Sequence, residues 1–161
     1  TGNLLKGAEG KLYGMTRSGG ASNQGVMFCL DPVTGMYTKL RDFGNRLGTA
    51  FEGSLMQASN GKLYGVLVRI GSGESTIFSY DLKASKYTDL IHFYYSDGNG
   101  PVGSLVQADN GKLYGLAYAG GAKNDGALCS FDPTNMVFAK IRDFNDSTGT
   151  VHSGMSNVSN G

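Results

Sequence analysis

The chain has 161 residues, among them 26 Gly, 9 Tyr, 8 Phe, two Cys and no Trp, and its 14 Lys and Arg nearly cancel 13 Asp and Glu to leave a net charge of +1. Gly at about twice its usual ~7% share implies many turns, yet Leu, Val, Phe and Tyr are plentiful enough for a core, so neither collagen nor disorder fits. Balanced charge gives no electrostatic reason to bind nucleic acid, no apolar run reaches the ~18–20 residues of a membrane-inserted helix, and two cysteines cannot build a disulfide framework.

Thr1-Gly2-Asn3 opens the chain without a start Met or a charged-then-apolar signal, as expected of a soluble chain that begins inside a longer gene product. A short strand before Gly10 is followed by a second over Lys11–Gly14. A Gly-rich connection, Ser18–Gly25, leads to a third strand, Val26–Asp31. Asp31-Pro32 ends it, because Pro cannot donate to a ladder and Asp caps a turn. A fourth strand runs over Tyr37–Phe43.

The same order then returns. Gly53-Ser-Leu-Met-Gln-Ala-Ser-Asn-Gly-Lys-Leu-Tyr-Gly65 recurs fifty residues later from Gly103 to Gly115 with two changes in thirteen, and Gly2–Gly14 is an earlier, weaker copy. Asn60-Gly61 and Asn110-Gly111 are expected to form two-residue type I′ hairpins, with both residues at positive φ. Third strands follow at Thr76–Asp81 and Ala127–Asp132, and fourth strands at Tyr87–Phe93 and Phe138–Phe144. The units span 2–52, 53–102 and 103–152, and 153–161 starts a further one that stops at Asn160-Gly161.

No 3.6-residue apolar period persists, whereas short β-rich runs between turn residues recur throughout. The third strands are apolar on both faces, with Phe28 and Leu30 one way and Met27 and Cys29 the other, so both faces must be covered. Four-stranded sheets packed face to face around an axis supply that cover. The fold expected is all-β: a β-propeller segment of three four-stranded blades plus the first strand of a fourth.

Lys-Leu-Tyr, Gly-Gly, an aromatic-Asp-Pro and an aromatic strand together resemble the kelch propeller repeat, with Tyr37, Tyr87 and Phe138 where kelch usually carries Trp. More closely, Leu12–Pro32 resembles the bacterial tandem repeat called GloVer, and the third unit matches as well. The second unit departs, with Ile70-Gly71 in place of Gly-Gly and Asp81-Leu82 in place of Asp-Pro. The resemblance implies a large secreted or surface-anchored bacterial protein, hence an extracellular or cell-surface location.

Catalytic chemistry finds little material. Acid–base or nucleophilic catalysis needs several groups of tuned pKa brought together, and the two histidines do not supply them. His92 takes the place of Asp42 and Asp143 late in the fourth strand, a solvated edge position, and His152 lies in a loop. Register sends Cys29 and Cys129 to opposite faces of strands two blades apart, too far for a bridge, so both are expected to be buried free thiols. Ser96-Asp97-Gly98-Asn99-Gly100 resembles part of a calcium loop but lacks the remaining ligands, no Cys/His spacing suits zinc, and the Gly-Gly segments precede no helix that would hold phosphate. No cofactor or metal is expected. Asn145 and Asn157 begin glycosylation-type triplets, a pattern common by chance.

Binding function is expected on loops carried by a rigid scaffold. In such a sheet the connections from strand two to three and from strand four to the next blade emerge at one end. That end carries Arg17, Asn23, Arg69, Glu74, Lys123, Asn124 and Asp125, with Tyr94, Tyr95 and Asp97 in the longest inter-blade loop. The reading is a non-catalytic scaffold, adhesion or assembly module whose partners are other blades of a longer chain or other copies of itself, and which can meet a glycan or surface protein. A lectin-like glycan binder is the alternative. A glycoside-active enzyme with paired carboxylates is a third, disfavoured because Asp31, Asp81 and Asp132 recur at a turn in every unit.

Overall fold

The computed structural model describes residues 2–44, 49–50, 53–69, 74–94, 100–117, 123–145 and 147–151; among them are thirteen strands and no helix. The first sheet runs β1 (Leu5–Lys6), β2 (Leu12–Met15), β3 (Val26–Leu30) and β4 (Tyr37–Asp42), with antiparallel neighbours throughout. In the second, β5 (Thr49–Ala50) and β6 (Met56–Gln57) lie end to end along β7 (Leu63–Arg69), followed by β8 (Ser75–Asp81) and β9 (Lys86–Phe93). The third repeats the order as β10 (Val102–Gln107), β11 (Leu113–Ala117), β12 (Ala127–Asp132) and β13 (Val137–Asp143). With β5 and β6 taken as one interrupted inner strand, each sheet has four antiparallel strands. The start of a further unit at 153–161 lies outside the described residues.

The strand one to two turns differ from expectation. Gly61 and Gly111 both have φ +78, but Asn60 and Asn110 are not at positive φ, so the turns are not type I′. Ala58 N donates to Lys62 O and Gly61 N to Ala58 O, which makes a type I turn closed by a glycine in the left-handed region. Gly7, Gly10 and Lys11 repeat the pattern in the first sheet. The Asn side chain works differently from the way its backbone was expected to: Asn60 Oδ1 accepts from Lys62 N at 3.0 Å.

Asp closes the strand three to four turns, as expected. Asp31 Oδ1 accepts from Val33 N and Thr34 N, and Asp81 Oδ1 accepts from Lys83 N and Ala84 N without a proline beside it. Four residues past the Asp, the left-handed position is filled by Gly35, then Ser85, then Met136.

Each sheet carries a bulge between its third and fourth strands, and the third sheet has a further register shift between Val102 and Val106. Between β3 and β4, β8 and β9, and β12 and β13 the register shifts by one residue, which leaves Leu40, Leu90 and Ile141 as the extra, bulged residues. Leu40 and Leu90 use the bulge to reach the apolar layers between sheets.

The two larger apolar layers lie between sheets, beside a small cluster of Ala117, Ala127 and Cys129 within the third sheet. One apolar layer joins Tyr13, Met27, Cys29 and Phe43 of the first sheet to Leu55, Leu63, Phe78 and Tyr80 of the second. Another joins Tyr64, Val66, Ile77 and Phe93 of the second to Leu105, Leu113 and Phe131 of the third. Stability is therefore a property of the joints, as in other repeat proteins. Near the start of each inner strand the backbones touch: a Cβ on Gly53 would overlap the Gly103 carbonyl, and one on Gly2 the Gly53 carbonyl. Among the described residues, Tyr37 and Leu4 of the first sheet and Val106 and Ile141 of the third stand exposed on the faces turned away from the second sheet.

Candidate functional site

The joints share a device that runs at the repeat period. Ser54 Oγ accepts from Asn3 N at 2.7 Å, and Ser104 Oγ accepts from Ser54 N at 2.9 Å. Gln57 Oε1 accepts from Ala8 N at 2.8 Å, and Gln107 Oε1 accepts from Ser59 N at 2.7 Å. The Ser and Gln of each inner strand thus fasten that sheet to backbone amides of the sheet before it. Each Gln also donates to the glycine carbonyl of its own hairpin, Gly61 or Gly111, so its amide is oriented from both sides.

At the same end of the sheets, a cleft of about 430 Å³ opens at the first joint, lined by Glu9, Lys11, Tyr13, Gln57, Leu82 and Lys83 among others. It exists as a polar site because Glu9 stands where the other two hairpins have Asn60 and Asn110. Those amides donate to Tyr64 and Tyr114 hydroxyls at 2.9 Å, whereas the Tyr13 hydroxyl donates to Glu9. Partial burial pushes the Glu9 carboxyl up, but hydrogen bonds from Tyr13, the backbone and Gln57, with the Lys11 charge, outweigh it and hold the pKa below 4.5. Burial first, then the bond to Glu9, pushes the Tyr13 phenol above its ordinary range. One carboxylate held ionised and two lysines over an apolar floor can bind a polar group; they do not make the two-carboxylate pair of glycoside chemistry. The signal for this cleft in the sequence is Glu9, which stands in an otherwise regular hairpin where the other units have Asn60 and Asn110.

The loop end picked from sequence lies at the opposite end of the sheets. Strand-four exits and strand two-to-three loops do meet there: Phe43 N donates to Gly25 O, Ala21 N to Asp42, Phe144 N to Gly126 O and Val151 N to Asp125 O. Asn23 braces its own loop, with φ +52 and Oδ1 accepting from Gly19 N, and Asn124 takes the matching left-handed position at φ +62. Glu74 is half-buried just before β8, and Asp125 is half-buried. Arg17 and Lys123 are exposed, and Tyr94 is 55% exposed just after β9. The three basic residues do not occupy equivalent places: Arg17 lies two residues past the end of β2, Arg69 is the last residue of β7 opposite Thr49, and Lys123 aligns with Ser22 at the far end of its loop. Tyr95, Asp97 and His152 lie outside the described residues.

His92 is exposed, with Nδ1 2.9 Å from Thr76 Oγ1, so it completes the sheet edge as Asp42 does by accepting from Ala21 N. Cys29 and Cys129 are free and buried, and burial pushes the Cys129 thiol up to about 11. Among the described residues, no three His, Cys, Asp or Glu side chains gather in a way that could hold a metal ion.

Stacked four-stranded meanders joined face to face define the class as β-propeller-like. Solved structures of such folds align with the chain. An oligogalacturonate lyase in complex with manganese gives a TM-score of 0.59 at 15% identity, over 86% of this chain and 35% of that one. The extracellular domain of a putative one-component system from B. thetaiotaomicron gives 0.59 at 14%, over 90% and 16%. TolB from Acinetobacter baumannii gives 0.54 at 9%, over 83% and 30%. The chain thus spans about a third or less of the length of each. No curated protein matches it in sequence. Residues 1–161 match the Gloeobacter/Verrucomicrobia repeat, and the chain belongs to that family.

Proposed function

We propose that the chain is a non-catalytic propeller segment of a bacterial extracellular or cell-surface protein, acting as a structural, adhesion and interaction scaffold through its loop end and through blade-to-blade assembly. The observation that carries this reading is the repeated joint: Ser54 and Ser104, with Gln57 and Gln107, hold backbone amides of the preceding sheet. Side chains placed at the repeat period serve assembly, while the carboxylates that recur, Asp31 and Asp81, cap turns. The extracellular domain among the structural neighbours is consistent with the location.

The test is an assay for sugar release from a panel of polysaccharides, run beside a glycan array. No turnover and no glycan-specific signal are expected; release of product overturns the scaffold reading. A lectin-like reading rests on the exposed Tyr94 at the loop end, a stacking surface for a sugar ring. Array hits abolished when Tyr94, Tyr95 and Lys123 are replaced together would establish that reading instead.

A further inference from the structure

Each internal joint pairs the following face of one sheet with the preceding face of the next. At the first joint Phe43 meets the stacked rings of Phe78 and Tyr87 edge-on, at 6.3 and 6.2 Å, and the Arg41 guanidinium lies 3.7 Å above the Tyr87 ring. Both halves of this contact recur at the ends of the stack. The preceding face of the first sheet carries Phe28 and Tyr37 stacked at 5.5 Å and 26°, against 5.1 Å and 24° for Phe78 and Tyr87. The following face of the third sheet carries Arg142 and Phe144 in the same register as Arg41 and Phe43. Arg142 opposes Leu128 as Arg41 opposes Met27, and Phe144 N donates to Gly126 O as Phe43 N donates to Gly25 O. Tyr37 is 55% exposed, and the bulged Ile141 is 53% exposed where Leu40 and Leu90 are packed.

The polar positions complement each other as well. At the internal joints a Gln, 57 or 107, faces the amide of Ala8 or Ser59. In repeat register, the first sheet offers Lys6 where those glutamines stand, and the third offers Asp109 where Ala8 and Ser59 stand; both are exposed. Lys6 has no acceptor to offer that amide, whereas Asp109 keeps the backbone amide and adds a carboxylate, so the two together place opposite charges across a joint. Asn3, in the position of Ser54 and Ser104, keeps an acceptor for the Ser104 amide.

We propose that a second copy of this chain docks head to tail on these faces, the third sheet of one copy against the first sheet of the other. Arg142 then lies over the other copy's Tyr37, and Asp109 pairs with its Lys6. The contact is heterologous, and such contacts either close a ring or run on as a fibre. Two copies joined twice in this way close a six-bladed ring, within the ~4–8 blades that propellers use. The inference rests on the reading of the chain as an assembly module, and takes that reading to one partner and one geometry.

Sedimentation equilibrium of the 161-residue chain tests it, with a species at twice the 17.0 kDa of one chain expected. Lys6→Asp and Asp109→Lys, both at exposed positions, each place like charges in both joints and are expected to weaken the dimer about tenfold or more, and the double reversal to restore it. Tyr37→Ala weakens the dimer with no rescue by either reversal. A 17.0 kDa monomer at high protein concentration overturns the proposal, including the case where a following repeat of a longer polypeptide takes the second copy's place. A dimer or an open-ended array indifferent to both reversals overturns it too. Each of these failures leaves the non-catalytic reading standing, whereas sugar release would sink that reading and leave the ring untouched.

Discussion

The two internal joints have the same backbone and the same fastenings, yet differ in what fills them. The second packs Val66, Ile77, Leu113 and Phe131, all almost wholly buried, and Phe93 meets Phe138 with ring centres 4.6 Å apart. The first holds Met27, Cys29 and Tyr13, an arginine over an aromatic ring, and a cleft with a carboxylate at its mouth. Inner-strand Ser and Gln set how two blades meet, and the remaining side chains of a joint are then free to vary between apolar packing and a polar recess. Fastening and filling of a joint thus fall to different residues of one repeat.

The largest effects should come from the rings that fill each joint. Phe78→Ala and Phe131→Ala each empty a fully buried site and should cost about 3–5 kcal/mol by chemical denaturation. In a stack held by nearest neighbours, hydrogen exchange should show Phe78→Ala releasing the first sheet while amides of the third stay protected. Uniform loss in both variants would show that the three sheets melt as one unit and that the joints are not separable.

Gly53→Ala comes next, because the new methyl must displace the Gly103 backbone, and about 2–4 kcal/mol is expected. Gly61→Ala meets no neighbouring atom and loses only the left-handed preference, about 1 kcal/mol. Equal costs would mean that the inner strands do not approach as closely as described.

Gln57→Ala and Gln107→Ala should each cost about 1 kcal/mol, since each leaves a backbone amide to water at a partly exposed joint. A clear difference between them would show that Gln57 also supports the cleft through Glu9.

The smallest effect is a pH dependence confined to the first joint. Glu9 has its folded pKa held below the ordinary carboxylate value, so its stabilising contribution is full above the unfolded pKa and is lost as pH falls through the folded pKa. The equivalent Asn60 does not titrate. Acid should therefore loosen the first joint ahead of the second, and Glu9→Asn should abolish the difference; an unchanged acid profile in that variant would remove Glu9 from the account.

The hairpins mark where local reading succeeds and where it stops. Asn-Gly located both turns correctly, but Asn60 stays out of the left-handed region because the loop is three residues long, and loop length depends on the register of the flanking strands. The strand-four exits and strand two-to-three loops share one end of the sheets, as the repeat order implies, yet Asn23 there braces its own loop. The cleft at the other end was invisible as a cleft, since Glu9 and Leu82 are far apart in sequence and meet across a joint.

The sequence by itself determined the period of about fifty, the four strands of each unit, the Asp-closed turns and the family, because these follow from neighbouring residues and from comparing the chain with itself. The tertiary structure alone decided that Ser and Gln fasten one unit to the one before, that Glu9 and Leu82 line one cleft, and that Lys6 and Asp109 stand exposed on the first and third sheets. Those facts concern side chains about fifty residues apart or more, or faces at opposite ends of the stack. Only packing one unit on the next says which of them meet.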